Sequence, residues 1–434
     1  MNKQFYITTP IYYVNDKPHI GHAYTTILAD VLSRYHRNAG QETFFLTGLD
    51  EHGQKVQQAA KERGVESQQH CDEMAPRFME LWKQLHISND DFIRTTEERH
   101  KKVVRDILQV VMDRGDIYEA EYEGLYSVSE ERFITEKEAE TGDFRDIKNL
   151  KEKNYFFKMS KYQQQLIDHI EENPKFIQPN QRKNEILGFL RQPLDDLCIS
   201  RPKSRLNWGI ELPFDPDYVT YVWFDALINY ITAPGYGFDE ISFKKWWPAS
   251  YHLIGKDILT THTVYWPTML MSAGIQLPIS IFAHGWWLMG DSKMSKSLGN
   301  VVNPMDLIDD YGVDPVRYYL MREMVLGQDS SFTMESFIQR YNSDLANDFG
   351  NLLSRVSTLI KKNYDGTIPL PGELTDAELS IKSNGETLVN IVQEKIEAMR
   401  LNEAIEETMQ YVRSVNRYME ENAPWKLVKD NKMA

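Results

Sequence analysis

Residues Pro10-Ile-Tyr-Tyr-Val-Asn-Asp-Lys-Pro-His-Ile-Gly-His22 join a strand-like run to a helical one through a loop suited to phosphate. Before the loop, Gln4 to Thr9 is rich in β-branched and aromatic residues, as a buried strand should be, and Pro10 is expected to stop its ladder. After it, Ala23 to Arg37 carries Ile27, Leu28, Val31, Leu32 and Tyr35 at helical spacing. A strand, a loop and a helix start place free backbone N–H groups and the positive end of a helix dipole at a sheet's carboxyl edge, where an anion is stabilised. His19 and His22 sit at the mouth of that helix, and Gly21 lets a ligand approach the backbone where a Cβ would intrude. Two histidines capping a helix in a polar loop would give the same pattern, so this stretch alone leaves both readings open.

The 434 residues exceed one ordinary core and predict two to four domains. Hydrophobic residues at 41% and charged residues at 26% describe a soluble globular chain without extensive disorder. No run of apolar residues reaches the ~18 of a membrane span and no charged-then-apolar leader opens the sequence, so a cytoplasmic protein is expected. Cys71 and Cys198 are too few and too far apart for a disulfide scaffold or a cysteine-only zinc knuckle. A net charge of −15 argues against general affinity for nucleic acid, yet leaves room for an RNA held by a few local contacts.

Along the chain, strand, loop and helix recur: Glu42 to Thr47 leads to Asp50-Glu-His-Gly53, then a helix from Gln54 to Arg63 closed by Gly64. Further helical patterns fall near 69–86 and 97–114. This alternation predicts an α/β fold, a Rossmann-like parallel sheet whose first half is residues 1–115. Residues 116–218, with short aromatic strands and charged turns, read as an α+β insertion. The pattern resumes over 219–285, a loop region follows at 286–333, and 334–434 is helical enough to predict an α-helical bundle.

Lys293-Met-Ser-Lys-Ser297 puts two lysines three residues apart in what reads as a flexible loop able to close over polyphosphate. A solvated Lys/Ser loop would look the same; its pairing with His19-Ile-Gly-His22 changes the weight. Together the two resemble the signature pair of the class I aminoacyl-tRNA synthetases. Within that class the resemblance is to the methionyl-tRNA synthetases and runs from about Phe5 to the chain's end, through Pro10-Ile-Tyr-Tyr13, Asp50-Glu-His-Gly53, Val222-Trp-Phe-Asp-Ala226, Gly255-Lys-Asp257 and His262 to Trp266.

The resemblance implies ATP-dependent activation of L-methionine to methionyl-adenylate with loss of pyrophosphate, then transfer to the 3′ end of tRNA(Met) for protein synthesis, initiation included. Attack by a carboxylate on phosphorus needs no general base, so positioning and charge stabilisation carry the catalysis. By resemblance, His19 and His22 contact the ATP phosphates, Gly21 makes room for adenosine, Lys293 and Lys296 stabilise the departing pyrophosphate, and Asp257 contacts the ribose. Mg2+ accompanies ATP in the family, though no carboxylate here can be assigned to it. A thioether must be selected by shape and by sulfur–aromatic contact. The family pattern sets Ile11, Tyr13, Trp223, Tyr230, His262 and Trp266 at or near that pocket and gives the substrate ammonium to Asp50. Ordinary core packing is the competing account of the two tryptophans.

Many relatives carry zinc knuckles in the insertion. Here Tyr126-Ser-Val-Ser-Glu-Glu-Arg-Phe133 stands where one would begin, and serine hydroxyls are poor zinc ligands, so no zinc is expected and aromatic packing by Tyr155, Phe156, Phe157 and Tyr162 must hold the insertion. Asn347, Asn351 and Arg355 recur every fourth residue of an amphipathic helix from Tyr341 to Ile360. The family reads the anticodon with such a set and a Pro-Trp, matched by Pro424-Trp425; a solvated polar row is the plain alternative. A class I synthetase for another apolar amino acid, a small-molecule adenylyltransferase and a non-catalytic tRNA-binding paralogue remain as rivals.

Overall fold

The computed structural model describes residues 3–14, 18–127, 132–134, 139, 147–289, 292–293 and 303–429. Two compact units divide it: residues 1–18 with 22–284, and residues 19–21 with 285–434.

The first unit is built on a parallel sheet of six strands: β1 (Gln4–Tyr13), β2 (Glu42–Asp50), β3 (Asp91–Arg94), β4 (Ile177–Gln178), β5 (Tyr251–Gly255) and β6 (Ile281–His284). Their spatial order is β3-β2-β1-β5-β6-β4, every pairing parallel. The chain runs outward one way from β1 to β3 and the other way from β5 to β6. The carboxyl ends of β1 and β5 therefore flank the point where strand order reverses, where such sheets open a crevice. Helices α1 (Ile20–Asn38), α2 (Gln54–Arg63), α3 (Ser67–Gln84) and α4 (Glu98–Asp113) follow the first three strands. Val103, Val104, Ile107, Leu108 and Val111 of α4 are buried, as the stripe in the sequence predicts.

Pro10 does not end β1. The strand runs on to Tyr13, and the proline lies where the β1–β2 register shifts between Thr8 and Ile11, so an irregularity absorbs its missing N–H. The extension matters because it sets Tyr13 opposite Asp50 and Ile11 opposite Gly48. At Gly48 a Cβ would stand 2.1 Å from the Ile93 carbonyl oxygen of β3, so only glycine lets the strands approach.

Within 116–218, Ile117–Ser127, Arg132–Ile134, Ile147–Phe157 and Leu197–Cys198 form an antiparallel sheet, while Ile177–Gln178 leaves it to pair with β6 as edge strand β4. The aromatic set divides accordingly. Tyr155 packs edge-on against Phe214 and Tyr218, and Phe156 stacks on Tyr118, inside the insertion. Phe157 instead meets Phe224 and Tyr162 in the hydrophobic core of the first unit, which also takes in Leu166, Ile170 and Phe176. Of the stretch where a zinc knuckle would begin, residues 128–131 lie outside the described residues. The segment after Asp215–Thr220 turns helical, and α5 (Val222–Leu227) carries Trp223, Asp225 and Ala226.

In the second unit, Trp287, Tyr319, Phe332 and Phe337 form an aromatic core whose contacting ring centroids are 5.3–6.4 Å apart. Helices 376–397 and 401–422 follow, the former opened by a capping box of Thr375 and Glu378. Tyr341–Gly350 is wound as a π-helix that runs into an α-helix at Asn351–Asn363. A Cβ at Gly350 would lie 2.9 Å from the Leu345 carbonyl oxygen, five residues back, so the wide turn leans on glycine there. Among the described residues no helix is long and apolar enough to cross a membrane.

Candidate active site

At the carboxyl ends of β1 and β2, Tyr13 and Asp50 stand side by side by strand register; Asp50 is buried and Tyr13 partly so. The Lys55 ammonium sits 5.5 Å from the Tyr13 ring. The chain after Asp50 is tied down residue by residue. Glu51 receives Arg94 Nε at 2.7 Å and the Thr96 hydroxyl, and its backbone oxygen accepts the Trp208 indole N–H. Gly53 N donates to Trp208 O at 3.2 Å. Burial raises the Glu51 carboxyl above its ordinary range while Arg94 pulls it back.

Tyr230, wholly buried, is the hub of an aromatic wall. His262 Nδ1 faces the Ile258 carbonyl at 2.9 Å, which can only accept, so Nδ1 carries the proton and Nε2 accepts from the Tyr230 hydroxyl at 2.8 Å. Burial pushes the His262 pKa down to about 4, so the ring is neutral at pH 7. Thr261 to Tyr265 form a π-helical turn that presents His262. Trp223 meets the His262 ring edge-on at 6.2 Å and stays partly exposed.

Trp266, by contrast, is wholly buried, 5.9 Å from Tyr230 and 6.2 Å from Trp247. Its indole N–H donates to His252 Nε2 at 3.3 Å, so His252 Nδ1–H must donate to Thr8 Oγ1 at 2.8 Å. Desolvation holds His252, 4.2 Å from the Tyr230 ring, well below the ordinary histidine range. His252 was not among the expected site residues, and no sequence motif singles it out.

His22 lies edge-on to Tyr12 at 4.8 Å, and the Tyr12 hydroxyl bonds Thr26 at 2.9 Å, whose own hydroxyl donates to His22 O. At the helix mouth, Gly21 N donates to His19 Nδ1 at 3.1 Å, and a Cβ at position 21 would lie 2.9 Å from that ring. The glycine thus makes room for the histidine. Asp257 is exposed just past β5, and a Cβ at Gly255 would stand 2.5 Å from its Oδ1. Beside them, His284 Nε2 bonds Thr25 Oγ1 at 2.7 Å.

In the second unit, Lys293 ends the two-residue strand Ser292–Lys293, paired antiparallel with Leu288 and Met289; Lys296 lies outside the described residues. Asn347, Asn351, Arg355 and Trp425 are exposed and Pro424 is half-buried, with Arg355 3.3 Å from Glu420. Among the described residues no group of three or more histidine, cysteine or carboxylate side chains could hold a metal ion.

A parallel sheet with a histidine-bearing helix mouth at its reversal point belongs to the nucleotide-binding α/β class. A family model described as tRNA synthetases class I (M) matches residues 5–142 and 145–357, and the chain belongs to that family, the methionyl-tRNA synthetases of class I. It is 50% identical over 437 residues to the methionine–tRNA ligase of Fusobacterium nucleatum, covering 99% of this chain and 68% of that protein. The methionine–tRNA ligase of Bacillus subtilis is 47% identical over 448 residues, covering 99% and 67%. The chain therefore spans about two thirds of the length of these curated relatives. Mycobacterium tuberculosis methionyl-tRNA synthetase in complex with methionyl-adenylate superposes with a TM-score of 0.94 at 42% identity, over 98% of this chain and 85% of that one.

Proposed function

We propose that this chain activates L-methionine with ATP and transfers the methionyl group to tRNA(Met). The observation that carries the amino-acid assignment is the wall of Tyr230, His262 and Trp223, whose histidine is neutral. A thioether carries no charge and only a weak acceptor, so it gains from polarizable ring contact and loses nothing by facing a neutral imidazole. Asp50, beside Tyr13, takes the substrate ammonium, and Ile11, level with Gly48, borders the same end of the sheet. Trp266 acts through Tyr230, against which it packs.

In the first step a methionine carboxylate oxygen attacks the α-phosphorus, the bond to the bridging oxygen of the β-phosphate breaks, and pyrophosphate leaves with the electron pair. No proton moves, so the side chains hold and neutralise. His19, His22, Lys293 and Lys296 are assigned to the phosphates, Gly21 to the adenosine and Asp257 to the ribose. Lysine's compact charge on a long stem can follow the charge that develops on pyrophosphate. Mg2+ enters with the nucleotide as part of that substrate, and no zinc is assigned because the insertion holds a single cysteine, Cys198. In the second step a terminal ribose hydroxyl of tRNA attacks the acyl carbon, the bond from that carbon to the phosphate oxygen breaks, and AMP departs with the electron pair while its phosphate takes up the hydroxyl proton. Asn347, Asn351, Arg355, Pro424 and Trp425 are assigned to the anticodon.

Exchange of labelled pyrophosphate into ATP tests this reading. It should require methionine, and leucine, isoleucine and valine should support it weakly. Exchange driven equally by any of these would move the chain to another substrate.

A further inference from the structure

Asp225 is 1% exposed, and both of its oxygens are engaged: Oδ2 by His52 Nδ1 at 2.6 Å and Oδ1 by His100 Nε2 at 2.7 Å. The three residues come from three elements. His52 follows Asp50 by two positions at the end of β2, His100 lies in the first turn of α4, and Asp225 follows Trp223 by two positions in α5. The phosphate chemistry described above uses none of them, and burying a carboxylate is unfavourable unless its hydrogen bonds are complete.

The neighbours show what the arrangement fixes. His52 packs against Trp208 at 5.4 Å, and the tie of Trp208 to Glu51 and Gly53 anchors the loop that follows Asp50. On the other side, the Trp223 ring meets His262, and the Thr232 hydroxyl lies 3.4 Å from His100 Nδ1. The carboxylate thus links the strand end that bears the ammonium-binding group to the helix that bears the thioether-binding ring.

We propose that Asp225, acting through His52 and His100, is a positioning residue that sets the distance between the Asp50 and Trp223 halves of the amino-acid site and so determines affinity for methionine. The inference rests on the methionine-activating reading above. Asp225→Asn keeps the shape but turns one acceptor into a donor facing an N–H, so one histidine must turn or change tautomer.

Pyrophosphate exchange, read separately against methionine and ATP, tests it. Asp225→Asn should raise the methionine KM about tenfold while the ATP KM and kcat move less than about twofold, because the phosphate-binding residues lie on other elements. His52→Ala should give the same split, and the double variant should be no more than about twofold worse than the poorer single one, as expected of groups acting as a unit. Equal changes in both KM values, or an unchanged methionine KM in folded protein, would overturn the proposal. If Asp225→Asn does not fold, His52→Ala, which leaves the His100 bond in place, decides alone by the same split. Wild-type exchange driven by a different amino acid would sink the methionine reading only, and the split would then be read against that amino acid.

Discussion

His262 and His252 are neutral at pH 7 for one reason: each is buried with both ring nitrogens facing groups that a neutral ring satisfies. An unfolded histidine titrates near ~6.5. With the folded pKa of His262 lowered to about 4, the unfolded chain binds one more proton between those values. The stabilisation is complete above pH ~6.5 and is lost as pH falls toward ~4, with a limiting slope of about 1.4 kcal/mol per pH unit for each such histidine. Asp225, held down to about 2 against its burial by the two histidines, adds a second loss that begins only below pH ~3.9. Urea midpoints measured from pH 7 to 4.5 should therefore fall steadily, and His262→Gln, which cannot titrate, should reduce the slope by about one proton. An identical slope in the variant would mean that His262 is charged or exposed in the folded protein.

Secondary elements show where local sequence was enough and where it was not. The strand and helix around His19-Ile-Gly-His22, the stripe of α4 and the Gly64 cap follow from residue type and period, and all three form. Three things resisted reading. Pro10 sits inside a strand because a register shift accommodates it, which depends on the neighbouring strand. Residues 177–178 become the sheet's edge because β6 offers a side to pair with, 104 residues away in sequence (Ile177 against Ile281) and invisible to a local window. The His52–Asp225–His100 arrangement joins residues whose separate motifs say nothing of each other. Glycines show the same division. Gly48→Ala would press a methyl against the Ile93 carbonyl at 2.1 Å and should destabilise by about 1–3 kcal/mol or more, as overpacking does. Gly188→Ala, in the helix Asn180–Phe189 with nothing within 4 Å of the added carbon, should stabilise by about 0.5–1 kcal/mol. Denaturant unfolding of the pair checks both signs; a harmless Gly48→Ala would mean that the β2–β3 contact is looser than the register indicates.

At the scale of the whole molecule, the net charge of −15 opposes general attraction to RNA, so recognition must come from short-range contacts. The residues proposed for that role lie on the surface of the helical part of the second unit. Asn351 and Arg355 are exposed on the helix Asn351–Asn363, Asn347 is exposed on the π-helical segment before it, and Trp425 is 38% exposed on the helix Pro424–Lys429. An exposed indole is an unfavourable surface for water and a good platform for an unpaired base, and stacking of this kind is worth about 1–3 kcal/mol per base. Loss of the ring should therefore lower kcat/KM for tRNA charging by about one to two powers of ten. The amino-acid site proposed above lies on β1, β2, α5 and the His262 turn, none of which Trp425→Ala alters. Pyrophosphate exchange should accordingly be unchanged in Trp425→Ala while charging of tRNA(Met) falls, and the triple change Asn351→Ala, Arg355→Ala, Trp425→Ala should further reduce the preference for the methionine anticodon. Parallel loss in both assays would trace the effect to folding of the chain. Charging that stays at the wild-type rate in the triple variant, with anticodon preference intact, would assign the polar row to solvent and recognition to other residues.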